Sequence, residues 1–168
     1  MDNYHLYGEI GAGRHSVVYK ARRKQSIEYV TAKSLPRAQR PRVLREVKVL
    51  RQLDHPNVLR FHAWFESASS HWLVVEYCSG GSVLHLLEKD APLPEMTVQS
   101  FGLDILSGLQ HVHANGVLCC DLNPANILVD EYGVLKLGGF SLSRPLPREG
   151  DAAAVAALAS AAKRGSPT

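Results

Sequence analysis

The sequence predicts an α+β fold in which a five-stranded sheet comes first and a partly helical region follows. Five runs rich in β-branched and aromatic residues lie before residue 79, and turn-forming residues separate them. An apolar stripe of helical period interrupts these runs after Pro41, and a longer stripe begins after Pro94. The chain has 168 residues and is 45% hydrophobic, which is enough to bury one core.

The first three strands are predicted at residues 4–10, 17–22 and 28–34, as an antiparallel meander. Pro41 then opens an amphipathic helix, since proline is well tolerated in the first helical turn. Its apolar positions are Val43, Leu44, Val47, Leu50 and Leu53. Two more strands are expected at residues 59–66 and 71–77, joined by the small polar turn 67–70.

The second half is predicted to be mainly helical. A short helix is expected near residues 83–89, and the prolines at 92 and 94 lead into a long buried helix. The apolar stripe of the long helix consists of Val98, Phe101, Ile105, Leu109 and Val112. Short strands are expected at residues 126–129 and 134–137, around the turn 130–133. From residue 145 the chain is predicted to be a low-complexity tail, either a fraying helix or a loop, with an alanine-rich run at 152–162.

Composition argues against several classes of protein. The net charge of +3 is spread among interleaved acids, so we assign no nucleic-acid partner. No stretch reaches the apolar length of a membrane span, and the first residues lack a signal-peptide pattern, which favours a cytoplasmic protein without a membrane partner. Three cysteines, Cys78, Cys119 and Cys120, fit reduced thiols better than a disulfide framework. The eight histidines show no metal-ligand spacing.

The first chemical motif is Gly11-Ala12-Gly13, between the first two predicted strands. Glycines in such a hairpin let backbone N–H groups approach phosphates, although a simple tight hairpin explains the motif equally well when it is taken alone. Lys33 on the third strand and Glu46 on the first helix could form an ion pair inside the fold. Considered singly, each is more simply a solvated charge.

Taken in order, these residues resemble the motifs of protein kinases: a Gly-rich loop, a V-A-I-K-like segment at 30–33 ending in Lys33, and a helix C acid at Glu46. An H-P-N-V segment at 55–58, a hinge-like segment at 74–78 and a catalytic-loop-like segment at 119–126 follow. The resemblance extends to Arg144 and is closest to the Runkel-type branch of the Fused and Unc-51-like kinases.

The resemblance implies a domain order. Residues 1–78 would be a complete five-stranded N-lobe with helix C and the hinge, and residues 79–144 a partial helical C-lobe. Residues 145–168 would be an activation-loop-like tail. For this branch it also implies protein partners and an association with microtubules, and thus a cytoskeletal location within the cytoplasm.

The resemblance further implies an ATP site. Gly11 and Gly13 would cover the phosphates, Lys33 would bind the α- and β-phosphates, and Glu46 would orient Lys33. Adenine would lie between Val18, Ala32 and Leu128, with the hinge backbone at Glu76 and Cys78 along its edge. The implied cofactor-binding residues are Ile10, Gly11, Ala12, Gly13, Val18, Ala32, Lys33, Glu46, Glu76, Cys78, Asn126 and Leu128.

The catalytic motifs are only partly retained. Asp121 stands at the position of the catalytic base, and Asn126 at that of one metal ligand. Cys119 and Cys120 replace the preceding histidine and arginine of the kinase pattern, and Asn123 replaces the lysine that contacts the γ-phosphate.

The D-F-G motif of kinases is replaced by Gly139-Phe140-Ser141. Magnesium prefers hard oxygen ligands, and glycine offers no carboxylate. Asn126 remains as the one residual ligand, so the sequence predicts no complete metal site and makes magnesium a doubtful cofactor.

Three hypotheses follow. The first is an ATP-binding serine/threonine pseudokinase that acts as a scaffold. The second is an active serine/threonine kinase that obtains a metal ligand elsewhere, because Lys33, Glu46, Asp121 and Asn126 are all retained. The third is an interaction module that binds no nucleotide.

Overall fold

A computed structural model describes residues 1–13 and 16–147 of the chain. The strands are β1 (Tyr4–Gly13), β2 (Ser16–Arg23), β3 (Tyr29–Pro36), β4 (Phe61–Glu66), β5 (Ser70–Glu76), β6 (Gly81–Ser82), β7 (Val117–Leu118), β8 (Ile127–Val129), β9 (Leu135–Leu137) and β10 (Arg144–Pro145). The α-helices are α1 (Arg40–Leu50), α2 (Val83–Asp90) and α3 (Glu95–Ala114), and single 3-10 turns lie at Arg37–Gln39 and Phe140–Leu142.

Strands β1 to β5 form one antiparallel sheet in the order β1-β2-β3-β5-β4. The register places Lys33 of β3 between Val18 of β2 and Leu73 of β5. Because side chains alternate along a strand, these three residues lie on the same face of the sheet. The predicted α+β fold with a five-stranded sheet is confirmed.

Helix α1 packs on that face of the sheet. Pro41 lies in its first turn, as predicted, and its apolar stripe is buried at Val43, Val47 and Leu50. These side chains join a core that also contains Leu73. Burying a valine or leucine side chain contributes about 1.5–3 kcal/mol, so this contact fixes the helix relative to β3 and β5.

The opposite face of the sheet carries a smaller apolar cluster. Ala21, Val30, Ala32 and Val74 are fully buried there, and partly buried aromatic residues, including Trp72, pack against them. The second tryptophan, Trp64 on β4, packs against the larger core on the α1 face. The two tryptophans of the chain therefore lie on opposite faces of one sheet.

Helix α3 supports the short strands that carry the catalytic segment. At Gly108 the helix approaches β9 so closely that a Cβ would lie 2.7 Å from the Asn57 carbonyl oxygen and 2.8 Å from the Leu137 side chain. Asp104 on the same helix accepts a hydrogen bond from the Leu135 backbone N–H at 2.9 Å. Helix α3 thus fixes the β8–β9 hairpin, and with it residues 126–140.

The prediction that α3 is a buried helix is wrong in part. Within the described residues only Gly108 and Val112 of this helix are buried, and Phe101, Ile105 and Leu109 are half-buried. Leu103 and Leu106 are 69% and 65% exposed, and Val98 is exposed as well. Only one side of the helix meets another element, whereas full burial needs apolar neighbours on both sides.

The other predicted elements are present with shifted ends. Strand β1 runs three residues beyond the predicted end at Ile10, because Gly11 to Gly13 stay paired with β2. The two-residue strands β6, β7 and β10 and the turn at Phe140–Leu142 were not predicted. The predictions for the alanine-rich run fall outside the described residues, and the domain boundaries stay predictions. No helix among residues 1–13 and 16–147 is long and apolar enough to cross a membrane.

Candidate active site

An ion pair joins the sheet to helix α1. The Lys33 Nζ lies 3.2 Å from Glu46 Oε2 and 3.5 Å from Oε1. Glu46 is on the buried face of α1, directly in front of β3, because the apolar stripe of the helix turns that face toward the sheet. The pairing predicted from the sequence is therefore present, and it holds the ammonium group at a fixed place. The face of the sheet that carries Val18, Lys33 and Leu73 is called the cleft face below, and the space in front of it the cleft.

The sequence-based assignment of Ala32 to the adenine pocket does not agree with the strand register. Ala32 is fully buried in the cluster on the opposite face of the sheet, with Val30 and Val74. Thr31 and Lys33 share the cleft face because they are two residues apart. Val18, directly opposite Lys33, lies on the cleft face as predicted. Strand alternation therefore places Thr31, which the motif match did not select, on the same face as Lys33.

The Gly-rich hairpin closes one side of the cleft. Residues Gly11 to Gly13 of β1 remain paired with Ser16 to Val18 of β2. A Cβ at Gly11 would meet nothing within 4 Å, so this backbone is open to an approaching group. At Gly13 a Cβ would lie 2.8 Å from the Ser16 hydroxyl oxygen. The turn residues Arg14 and His15 lie outside the described part of the chain.

A groove of about 640 Å³ lies beside the hinge, lined by Ile10 of β1, by residues 77–82 and by most of α2. Of the predicted cofactor-binding residues, Ile10 and Cys78 line it. Among the described residues, none accepts a hydrogen bond from the Cys78 backbone N–H. That donor is therefore suited to the edge of a heterocyclic base.

Two other predicted residues border the hinge. Glu76 donates its backbone N–H to the Arg60 carbonyl at 3.0 Å, and its side chain lies 3.4 Å from the Lys136 Nζ. Leu128 on β8 pairs with Ser82 and is partly buried against the main core. Burial raises the pKa of the Cys78 thiol to about 12, so this cysteine is protonated and apolar at neutral pH.

The predicted catalytic carboxylate accepts hydrogen bonds from two side-chain amides. Asn123 Nδ2 donates to Asp121 Oδ1 at 3.0 Å, and Asn126 Nδ2 donates to Oδ2 at 2.9 Å. The same two amide groups also donate to the Asp121 carbonyl oxygen, at 3.1 and 2.9 Å. The site therefore holds Asp121 with two neutral groups, where a kinase pattern places a lysine at residue 123.

Gly139 occupies the position of the D-F-G aspartate and has a φ of +72°. A Cβ there would lie 2.4 to 2.8 Å from the three outer atoms of the Asn126 side chain. Phe140 is fully buried in the main core. The Ser141 carbonyl accepts a hydrogen bond from Arg45 of α1 at 3.0 Å.

One of the two magnesium-ligand positions of the kinase pattern carries no ligand side chain. Gly139 supplies no oxygen ligand from a side chain, and the Asn126 amide nitrogen is directed at Asp121. Within residues 1–13 and 16–147 no three His, Cys, Asp or Glu side chains lie close enough together to hold a metal ion. The partly exposed Lys33 ammonium and the open backbone at Gly11 remain available to phosphates, and the groove beside the hinge is lined by other residues.

The family model described as the protein kinase domain matches residues 4–160 of the chain. The chain belongs to the protein kinase family. The serine/threonine-protein kinase RUNKEL of Arabidopsis thaliana is 47% identical to this kinase domain over 146 residues, which are 87% of the chain. The serine/threonine-protein kinase ULK4 of Mus musculus is 42% identical over 144 residues, or 86% of the chain.

More distant relatives belong to the same class. The serine/threonine-protein kinase 36 of Pongo abelii is 34% identical to this kinase domain over 151 residues. In each of these three relatives the match covers 11% of the relative's own length. The resemblance to the Runkel-type branch is thereby confirmed, and ATP is the nucleotide that membership of the kinase family implies.

Proposed function

We propose that this kinase domain binds ATP, transfers phosphate poorly or not at all, and acts as a conformational scaffold of the serine/threonine pseudokinase type. One relationship carries the proposal. The Lys33–Glu46 ion pair for phosphate binding is intact, whereas the metal-binding position is Gly139, against which the Asn126 amide lies.

The proposed loss of activity has an electrostatic origin. Phosphoryl transfer is catalysed by several positive charges placed around the transferred group. Gly139 removes the main metal ligand, and Asn123 removes a cation at the γ-phosphate. Metal neutralisation contributes several kcal/mol at the transition state, and each 1.36 kcal/mol is tenfold in rate. We therefore expect a loss of several orders of magnitude.

ATP binding with little dependence on magnesium is the direct test. The melting temperature of the protein is measured with ATP in EDTA and with ATP plus magnesium, against matched samples without nucleotide. The proposal predicts similar stabilisation in both, because Lys33 and the hairpin contact the phosphates without metal. Stabilisation that appears only with magnesium would contradict it.

An active serine/threonine kinase is the second candidate, and the retention of Asp121 and Asn126 in mutual hydrogen-bond contact favours it. Radiolabelled phosphotransfer by the full-length protein, abolished by Lys33→Met combined with Glu46→Gln, would establish this candidate. A third candidate, an interaction module with an empty cleft, requires that ATP stabilises the protein in neither condition.

The proposed scaffold role includes microtubule association in the cytoplasm. The resemblance to the Runkel-type branch supports it, and so do the exposed cations Arg42, Arg45 and Lys48 on α1, which suit an acidic partner surface such as tubulin. Co-sedimentation with microtubules at rising salt tests it. Charge reversal of the three α1 cations should weaken binding, and unchanged binding would remove α1 from the interface.

A further inference from the structure

Three tyrosines and two cations lie together at the hinge end of the sheet. The Lys20 Nζ of β2 lies 4.3 Å from the ring centre of Tyr29 on β3 and 4.6 Å from that of Tyr77, directly after β5. The ring of Tyr7 on β1 lies 6.0 Å from that of Tyr29, and the Tyr7 hydroxyl oxygen accepts a hydrogen bond from Arg22 Nε at 3.0 Å. These five residues are called the tyrosine–cation strip.

The strip is open to solvent. Tyr7 and Tyr29 are 47% and 46% exposed, although a tyrosine ring gains stability from burial. Tyrosine and arginine are the residues that most often carry the binding energy of protein interfaces. The rings also hold the Lys20 ammonium in place before any partner arrives, which lowers the cost of ordering this side chain on binding.

The positive charge of the strip is not balanced by neighbouring acids. Strands β1 to β3 contain one acidic residue, Glu9, which lies opposite Tyr19 and therefore on the other face of the sheet. Glu28, directly before β3, lies beside His62 at 3.7 Å. Among the residues that the structure describes, no carboxylate forms an ion pair with either cation of the strip. The strip is therefore an exposed aromatic surface with free positive charge.

We propose that the tyrosine–cation strip is a docking surface for an acidic segment of a protein partner. Charge complementarity places carboxylates of the partner opposite Lys20 and Arg22. From β1 to the end of β5 the strip crosses three strand spacings, about 14 Å, which is the length of about four extended residues. A polypeptide segment therefore matches the strip better than a small anion does.

Single-stranded nucleic acid also binds to basic surfaces with aromatic residues, because its bases stack on free ring faces. In the strip, however, the Lys20 ammonium covers one face of Tyr29 and one face of Tyr77. The ring planes of Tyr7 and Tyr29 meet at 50°, so they do not form one flat platform. Few ring faces are left for bases, and an acidic polypeptide is the better match.

The first test measures the binding of a fluorescein-labelled oligoglutamate peptide by fluorescence anisotropy. The 168-residue chain is used without nucleotide, so the result does not depend on the proposed ATP binding. Lys20→Gln with Arg22→Gln should weaken binding about fivefold or more, because both contacts with carboxylates are lost. Arg42→Gln with Lys48→Gln removes the same charge from exposed positions on α1 and should weaken binding less than about twofold. Equal weakening by the two pairs, or no binding of the peptide, overturns the proposal.

The second test concerns the tyrosines. Tyr29→Leu keeps the charge of the strip and its apolar bulk but removes a ring that holds Lys20. This change should weaken binding of the peptide about twofold to fivefold. Tyr132→Leu, at a tyrosine that is 82% exposed between β8 and β9, should leave the affinity unchanged. An unchanged affinity in Tyr29→Leu contradicts the proposal.

A titration of the unmodified protein followed by NMR gives a result even if a variant does not fold. The ring signals of Tyr7 and Tyr29 should shift as the oligoglutamate peptide is added, and those of Tyr132 should stay in place. Shifts confined to residues outside the strip overturn the proposal. Tighter binding of single-stranded oligothymidylate than of oligoglutamate also overturns it, in favour of nucleic acid.

Discussion

Lys33 and Glu46 form an ion pair in which the acid is enclosed and only the lysine reaches the cleft. The side chain of Glu46 is 4% exposed and that of Lys33 is 27% exposed, at an N–O distance of 3.2 Å. Truncating the lysine alone would leave a buried carboxylate without its partner, which is costly. Binding experiments on Lys33 must therefore neutralise Glu46 as well.

The first prediction separates nucleotide binding from proton transfer. Lys33→Met with Glu46→Gln should weaken ATP binding about tenfold or more, because the ammonium group contacts phosphate in the ground state. Asp121→Asn should leave the affinity nearly unchanged, since the proposed role of Asp121 concerns a substrate hydroxyl. Calorimetric titration with ATP measures both, and equal losses would mean that the pocket is misplaced.

The second prediction concerns rescue of the metal site. Gly139→Asp, with Ser141→Gly to restore the kinase turn, should displace the Asn126 amide and make ATP binding respond to magnesium. Efficient phosphotransfer should return only when Asn123→Lys is added, and the gains should be strongly non-additive because they act on one transition state. Rates are measured in the full-length protein, with Ser141→Gly alone as control. Efficient transfer without Asn123→Lys would refute the argument.

The third prediction uses the half-buried His62 on β4. Burial is the main cause that lowers its pKa, and it outweighs the opposing effect of Glu28, whose carboxylate lies 3.7 Å away. As the pH falls, His62 is therefore protonated in the unfolded chain before it is protonated in the folded protein. This contribution to stability is present above about pH 6.5 and is lost as the pH falls from there through the folded-state pKa.

His62→Gln should accordingly reduce the fall in melting temperature between pH 7.5 and pH 5.5, buffer ranges chosen around about 6.5, the ordinary histidine pKa. His5→Gln, at an exposed position on β1, controls for the loss of a histidine as such. An unchanged or steeper fall in His62→Gln would show that the Glu28 contact dominates after all.

The fourth prediction concerns the order in which the cysteines react. Cys120 is exposed, burial raises the pKa of Cys119, and burial raises that of Cys78 to about 12. Because the thiolate is the reactive form, iodoacetamide should modify Cys120 first, Cys119 more slowly and Cys78 last. Intact-mass spectrometry over time follows the order, with Cys120→Ser as control. Early modification of Cys78 would indicate that the hinge opens.

The sequence was sufficient for elements whose signal is local. The alternation in β3 and the three-to-four spacing in α1 each predict one element, and both elements form. The Lys33–Glu46 pair followed because the motif order was unbroken. Ala32 lies on the other face because neighbouring residues of a strand point to opposite faces, so the residue next to Lys33 cannot share its side of the sheet.

Other features depend on distances between segments far apart in the chain. The exposure of Leu103 and Leu106 reflects which surfaces α3 meets, and the sequence alone does not state that. The position of the Asn126 amide against Gly139 likewise requires two loops thirteen residues apart to be placed to within an ångström. The motif pattern marks Gly139 as a lost metal ligand and Asn126 as a retained one, but it does not indicate that the two residues are in contact.

The placement of Trp64 and Trp72 on opposite faces of one sheet gives the protein two optical reporters in a single lobe. Trp64 packs against the core on the α1 side, and Trp72 lies beside Tyr19 with the two rings tilted and their centroids 5.8 Å apart. In a Trp72→Phe variant, tryptophan fluorescence would therefore come only from Trp64, on the face that α1 covers. A nucleotide that shifts α1 would change the Trp64 emission, whereas a change confined to α3 would leave that emission unaltered.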